Sequence, residues 1–581
     1  MDTPEPKTAF QYVAAAVWRR GRMLRDIGVA TLVINLVALL ISLYTLQVYD
    51  RVIPRGGFET LFVLTLGIGI ALFIDFLLKI SRAFIMDRES GDIDVELSEF
   101  FFARLLAVGL DARPPSVGTL AAQLRGLDIV RGLMTSASFL ILADLPFALL
   151  FIAAIAGIGG NVALVPLTVF PIALITAFIF AALIRRDAEK VQLSSHRKNG
   201  LLVDSINASE TIRSNSAENH LVGRWNKLLQ ELQVSDRNLR RWSVIAGALF
   251  SLLQQSSFVG IVVVGAFQVA DGNLTLGGLI ACTILGGRIN GPLVASLPNL
   301  IIQWTSSRIA LTSLDQMLQL PSAFPIGKKA IAPPEGAPNL LMQNITFAYN
   351  ETSQALQVQK FKLEPGERVA IIGSVGSGKT TFLKLLAGLY QPKQGEVLFS
   401  DVDMRLLNES AVRRKVFYMP QHYQLFQGTL RENLLAGLRD VGDEKVLEAA
   451  KRSGLIKVIN GHPRGLDLPI TEGGQGLSGG QTALVGITRL FLSDADILLL
   501  DEPSSALDQE TEARVINELF KYAGDRRSVV MITHRPQVFT AIRRLVVFGQ
   551  GRIAIDGPLK DVLARLRETA ARPAAEAPDA R

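Results

Sequence analysis

Residues 368–380 read Arg368-Val369-Ala370-Ile371-Ile372-Gly373-Ser374-Val375-Gly376-Ser377-Gly378-Lys379-Thr380, an apolar run that passes directly into a glycine-rich loop ending in Lys-Thr. The run predicts a buried strand, and the residues after the loop, 381–389, carry a helical pattern. Glycines let backbone N–H groups turn inward at a helix N-terminus, where an anion is favoured. In such a P-loop Lys379 supplies a point charge to β- and γ-phosphates, and the Thr380 hydroxyl suits Mg2+. The stretch Gly373, Ser374, Val375, Gly376, Ser377, Gly378, Lys379, Thr380, with Thr381 following, is the candidate phosphate cradle; a glycine-rich turn without a ligand is the bland alternative.

Downstream, residues 497–502 read Ile-Leu-Leu-Leu-Asp-Glu, a buried strand ending in two carboxylates. Asp501 there is a candidate for Mg2+, and Glu502 for polarising an attacking water. Further apolar runs at 528–532 and 368–372 alternate with helical patterns, which predicts an α/β domain built on a parallel sheet. Between the P-loop and Asp501 lies Leu477-Ser478-Gly479-Gly480-Gln481, at the start of a helical run over 482–492. Ser478 and the neighbouring N–H groups would make a second anion site at a helix N-terminus.

In this order the three motifs resemble the signature of the ATP-binding cassette (ABC) family, over 339 to about 566. The resemblance implies that Ser478, Gly479, Gly480 and Gln481 of one chain close over the ATP held by the P-loop of another, so a second copy is expected. It matches Tyr349 to the aromatic that stacks on adenine and Gln421 to the loop that senses Mg2+ and the membrane domain. Asp508 matches the dimer-contacting loop, and His534 the switch at the γ-phosphate. Taken singly, these are a strand-edge aromatic, two loop polars and a strand-end cap. Glu502, His534 and Gln421 are thus the candidate catalytic residues, and Thr380, Gln421 and Asp501 the candidate metal ligands. One departure stands after Gln481: Thr482-Ala483-Leu484 replaces the basic and polar set of many cassettes.

Working outward, the 581-residue chain is 49% hydrophobic and 19% charged, too apolar for a wholly soluble protein. Its charge of +7, 60 basic against 53 acidic residues, lacks long basic runs and fits a membrane protein better than a nucleic-acid binder. The single cysteine, Cys282, sits in an apolar stretch and reads as a packing residue. Apolar stretches near 27–48, 60–78, 138–157, 162–183, 244–269 and 275–302 give about six candidate spans. Arg288 and Asn290 interrupt the sixth and are expected to face a partner helix or a cavity. Two long polar segments, 79–135 and 185–242, separate spans two from three and four from five. Arg185, Arg186, Arg237, Arg240 and Arg241 at their ends place them, and both termini, in the cytoplasm. Asp75 and Asp144 are expected to be structural.

The expected organisation is therefore a cytoplasmic segment 1–26, an α-helical transmembrane domain 27–311, a linker 312–338, a P-loop cassette 339–566 and a disordered tail 567–581. A membrane half fused ahead of the cassette resembles the exporter class. Glu472, in Thr471-Glu472-Gly473-Gly474, is similar to the exporter loop that touches coupling helices, for which 112–120 and 208–218 are candidates. Three phrases resemble the inner-membrane ATPases of type I secretion systems, the haemolysin and adhesin exporters of Gram-negative bacteria. They are Leu46-Gln47-Val48-Tyr49-Asp50-Arg51-Val52-Ile53-Pro54, Asp144-Leu145-Pro146-Phe147 and Gly277-Gly278-Leu279-Ile280-Ala281-Cys282; ordinary span-end chemistry is their bland reading. The likeness implies a multi-pass protein of the bacterial inner membrane, surrounded by lipid and acting with a periplasmic adaptor (membrane fusion protein) and an outer-membrane channel. The implied cargo is a secreted protein with an uncleaved C-terminal signal. The stretch before the first span is too short for the N-terminal peptidase-like domain many relatives carry. A lipid, glycan, peptide or drug exporter working alone is the alternative.

Overall fold

The computed structural model describes residues 8–113, 117–135, 144, 146–321, 330–350, 353–439, 441–474 and 476–571. These form two compact units. One comprises the described residues through Leu106 and from 117 to Leu320; the other comprises Ala107–Arg113 and the residues from Pro321 onward.

The first unit is helical. Among the described residues, four helical stretches are long and apolar enough to cross a membrane, Gly21–Arg55, Phe58–Ala107, Phe147–Asn207 and Glu218–Ala270, and the first part of a further helix, Leu276–Ile289, is apolar. The third stretch holds two expected spans, the helices Phe147–Gly159 and Leu164–Asn207, joined by a 3-10 turn at Gly160–Ala163. Of the third span, residues 138–143 and 145 lie outside the described residues. The polar segments largely continue the spans as helix. Phe58–Ala107 has 50 residues and Glu218–Ala270 has 53, each roughly 75–80 Å long at ~1.5 Å per residue against a hydrocarbon core of ~30 Å. Ser209–Ser214, inside one coupling-helix candidate, is a short exposed helix. In the other, Val117–Leu124 is helical and 114–116 lie outside the described residues.

The two aspartates expected to be structural, Asp75 and Asp144, are paired. Asp75 accepts from Lys79 Nζ at 2.6 Å. Asp144 accepts from Arg82 Nη1 at 3.1 Å and Asn35 Nδ2 at 3.3 Å, while Arg82 also donates to Thr31 at 3.0 Å. These bonds tie three helix regions together and pair the Nη1 end of an arginine that is almost fully buried, whose Nε has no partner among the described residues. Arg288 is exposed, and the side chain of Asn290 lies outside the described residues.

Two of the distinctive phrases meet. A π-helical turn at Val48–Val52 presents Asp50 to the start of the helix Leu276–Gln319. There Asp50 Oδ1 accepts from the Gly277 N–H at 2.9 Å, a group the helix leaves without a partner, and Oδ2 accepts from the hydroxyl of the N-cap residue Thr275 at 2.5 Å. A Cβ on Gly277 would lie 2.5 Å from Asp50 Oδ1 and 2.7 Å from the Leu46 carbonyl, so only glycine admits this approach. Cys282 is fully buried.

In the second unit a six-stranded sheet runs in the order Arg552–Pro558, Arg544–Gly549, Arg368–Gly373, Ser528–Ile532, Ile497–Asp501, Val416–Met419. All neighbours are parallel except the first pair. Ile497–Asp501 and Ser528–Ile532 are buried at every position, as expected of strands covered on both faces. Their side chains alternate between two cores. Leu498, Leu500, Val529 and Met531 join one; Ile497, Leu499, Val530, Ile532, Val369 and Ile371 join the other. A second sheet, in the order Ser353–Leu363, Leu340–Asn350, Gln394–Phe399, Val402–Asp403, is antiparallel. Asp111 belongs to this unit and accepts from the Gln391 N–H at 3.4 Å.

Two boundaries differ from the sequence expectation. The helix from Leu276 continues through Gln319, because Leu314 and Met317 are buried at helical spacing, so 312–319 are helix rather than linker. At the other end Leu559–Ala571 is a helix whose Val562 packs into the core, so 567–571 are not disordered; 572–581 lie outside the described residues.

Candidate functional site

Three strands carry the candidate site to one sheet edge. Ile371 pairs with Ile532, and Ile532 with Asp501, so the P-loop, the Asp501-Glu502 pair and the loop of His534 all leave the sheet at the same level. Carboxyl ends of parallel strands are where open α/β sheets bind ligands.

The P-loop enters the helix Lys379–Leu386 through Gly378, left-handed at φ 97°, a conformation in which a side chain would be strained. Lys379 Nζ donates to the Gly373 and Ser374 carbonyls at 2.7 and 2.9 Å. Burial lowers its pKa below the usual lysine range, and the charges of Glu502 and Asp501 oppose that. Val375 at the loop tip is almost wholly exposed, and Ser377 Oγ is buried without a hydrogen-bond partner among the described residues.

Asp501 is 1% exposed. Burial pushes its carboxyl above the ordinary range, against the pull of the Thr380 hydroxyl, and Oδ2 has no hydrogen-bond partner among the described residues. An orphaned buried carboxylate oxygen beside a hydroxyl suits a hard divalent cation with oxygen ligands, so the residues present fit Mg2+.

Glu502 steps out of the ladder. Its backbone turns left-handed at φ 46° while its N–H donates to the Ile532 carbonyl at 3.1 Å. The side chain then meets two of the expected residues. Gln421 Nε2 donates to Oε2 at 3.0 Å, and His534 Nε2 lies 3.7 Å from Oε1. A carboxylate between an amide and an imidazole, next to a phosphate cradle, can orient and deprotonate a water. Gln421 therefore faces Glu502 in this arrangement.

Tyr349 stands on the antiparallel sheet with a half-exposed ring. Its edge-to-face neighbours are Phe347, centroids 5.1 Å apart, and Tyr390 at 5.9 Å, and its hydroxyl meets Thr381 at 2.7 Å. Tyr349 is thus held against the P-loop helix with ring surface free for a flat, apolar ligand.

Ser478 and Gln481 cap their own helix, Gly479–Leu492, reciprocally. Ser478 Oγ accepts from the Gln481 N–H at 3.3 Å, and Gln481 Oε1 from the Ser478 N–H at 2.9 Å. A Cβ on Gly480 would lie 3.0 Å from the Ala506 carbonyl, so this helix start sits beside the 504–508 turn. Among the described residues no hydrogen bond joins Ser478, Gly479, Gly480 or Gln481 to the P-loop. Asp508 caps the helix Gln509–Ala523, accepting from the Thr511 N–H at 2.9 Å, and that backbone contact holds its carboxyl below the usual range. In the departure, Leu484 packs into the core and Ala483 packs against it. Glu472 is exposed on a short turn, Glu472–Gly474.

Sequence reasoning missed a second layer. Buried Glu512 accepts from the Ser504 hydroxyl at 2.6 Å and faces Arg535 Nε at 3.6 Å. An acidic residue in a helix's first turn ordinarily signals solvent, so nothing in the pattern marked it.

The family described as ABC transporter matches residues 356–505, and the ABC transporter transmembrane region matches 26–293. The chain is 28% identical over 559 residues to the leukotoxin translocation ATP-binding protein LktB of Pasteurella haemolytica-like sp. (strain 5943B), covering 96% of this chain and 78% of that protein. It is 29% identical over 560 residues to the alpha-hemolysin translocation ATP-binding protein HlyB of Escherichia coli O6:H1, with the same coverage. Among solved structures, a bacterial Atm1-family ABC exporter with ATP bound shares the fold, with a TM-score of 0.85 at 23% identity over 96% of this chain and 99% of that one.

Proposed function

Since this chain belongs to the ABC transporter family, with membrane region and ATPase on one polypeptide, we propose that it is the inner-membrane ATPase of a type I secretion system. Its cargo would be an unfolded protein with a C-terminal signal. The observation that carries this reading is the similarity, over 96% of the chain, to ATP-binding proteins named for leukotoxin and alpha-hemolysin translocation. The phrase around Asp50 and the phrase starting at Gly277 support it, since they make one contact.

The working unit is a pair of chains, with the cassettes and both termini in the cytoplasm. A periplasmic adaptor and an outer-membrane channel complete the path. In each cassette Tyr349 stacks on adenine, the P-loop backbone and Lys379 hold the phosphates, and Glu502 directs water at the γ-phosphate with Gln421 and His534 beside it. Thr380, Asp501 and Gln421 would hold Mg2+, which neutralises phosphate charge when bound. The signature of the partner subunit, with its Asp508 loop, closes each site. ATP binding closes the cassettes, coupling helices pass that closure to the spans, and hydrolysis resets them.

The test is ATPase turnover of the purified chain in lipid, with and without the C-terminal segment of a repeat-containing protein encoded beside it. A specific change in rate that is abolished in Glu502→Gln, while ATP binding is kept, is the expected result. Turnover indifferent to the peptide but responsive to lipids or drugs would overturn the protein cargo and leave a stand-alone exporter.

A further inference from the structure

Glu502 and His534 sit on different strand ends, and hydrolysis at the γ-phosphate needs both held in one geometry. The ladder between Ile497–Asp501 and Ser528–Ile532 ends at Asp501 and Ile532. Glu502 lies beyond the first strand and His534 two residues beyond the second. Their side chains are 3.7 Å apart, an ion-pair distance rather than a hydrogen bond. The Glu502 N–H bond to the Ile532 carbonyl holds the backbones together at that level, and the turns beyond it need a further tie to hold the two side chains.

One buried carboxylate spans the two segments. Ser504, two residues after Glu502, donates its hydroxyl to Glu512 Oε1 at 2.6 Å, and Arg535, the residue after His534, brings Nε to the same oxygen at 3.6 Å. Glu512 is 2% exposed and Ser504 4%. A first-turn acid that faced water would need no further reason, but this one faces inward, where a charge costs free energy unless paired. An apolar residue would fill the same space without that cost. The segment between is short and braced: Asp508 caps the helix, and the Glu512 N–H donates to the Asp508 carbonyl at 2.8 Å. Arg535 also donates its own N–H to the Thr533 hydroxyl at 3.1 Å, so its loop is anchored on both sides of His534.

We infer that Glu512 is a positioning residue for ATP turnover: its carboxylate ties the turn that carries Glu502 to the loop that carries His534. The inference rests on reading Glu502 and His534 as the hydrolytic pair. Glu512 is buried behind the turn rather than at the strand ends that carry Glu502 and His534. It acts through Ser504 and Arg535, and it couples the Asp508 turn to the same link.

The experiment uses the full chain in lipid. Glu512→Gln keeps an oxygen for Ser504 and removes the charge facing Arg535. Turnover at saturating ATP is expected to fall roughly 10- to 100-fold, as for a small misplacement of reacting groups. ATP affinity and melting temperature stay near those of the unaltered chain. Arg535→Gln should give a similar fall, Arg535→Lys should recover much of it, and the double Gln variant should fall no further than either single one. Unchanged turnover in Glu512→Gln, additive losses in the double variant, or a loss matched by weaker ATP binding or lower melting temperature would each overturn the link. Glu502→Gln and His534→Ala are measured alongside. If they turn over normally, the pair itself falls and the link with it; if they fail while Glu512→Gln does not, the link alone is wrong.

Discussion

Tyr349 shows how much a single side chain takes from its surroundings. Its ring is wedged edge-on between Phe347 and Tyr390, its hydroxyl is spent on Thr381, and the half that stays exposed offers a flat surface beside the P-loop helix. Base–aromatic stacking is worth about 1–3 kcal/mol on alanine substitution. Tyr349→Ala should therefore weaken ATP binding roughly tenfold, while Tyr349→Phe, which keeps the ring and drops the bond to Thr381, should bind nearly as well. Titration with a fluorescent nucleotide separates the two; equal losses would place the weight on the hydroxyl. Glu502 illustrates the complementary case. A carboxylate continuing the strand would have been stacked into one face of the sheet, whereas the left-handed turn at φ 46° lifts it toward Gln421 and His534. That backbone conformation is uncommon for a residue with a side chain.

At the scale of elements, the contact between the Val48–Val52 turn and the helix from Leu276 joins two segments 227 residues apart in the chain. An α-helical continuation would aim Asp50 elsewhere; the π turn admits one extra residue per turn and redirects it. Gly277→Ala should force Asp50 or the Leu46 carbonyl away and cost about 1–3 kcal/mol, typical of overpacking. Thermal unfolding in detergent would read this, and Asp50→Ala in the same chain should relieve part of it, because the two changes share one contact. A Gly277→Ala chain as stable as the parent would show that the helix start yields freely. The long helices carry a related lesson. Segments 79–135 and 185–242 are legible as polar, but not as helical continuations of the spans. Leaving the bilayer changes which residues a helix exposes without changing its period.

At the scale of the whole molecule, the proposed working unit is a pair of chains that complete each other's sites. Tyr349, the P-loop, Asp501, Glu502, Gln421 and His534 gather at one edge, whereas Ser478 and Gln481 bond each other. Mixing two disabled chains tests this directly. Lys379→Ala removes the phosphate charge, and Ser478→Arg blocks the signature. Neither alone should turn over ATP, but in a mixed dimer one composite site pairs an intact P-loop with an intact signature. Coexpression should recover turnover; a mixture as inactive as its parts would place each site within a single chain.

What the residues determined by themselves is the chemistry and the class of fold. The apolar runs within 368–372, 497–500 and 528–532 read as buried strands, and the glycine spacing before Lys379 reads as a phosphate-binding turn, because both depend on local geometry. The six apolar stretches likewise declared a membrane protein by length alone. Tertiary structure decided what depends on distant partners: the meeting of Gln421 and Glu502 across 81 residues, the link from Ser504 through Glu512 to Arg535, and the seat of Asp50 on a remote helix. A buried carboxylate and a solvated one are the same letter. Only the fold sets which of them loses its water and must find a partner instead.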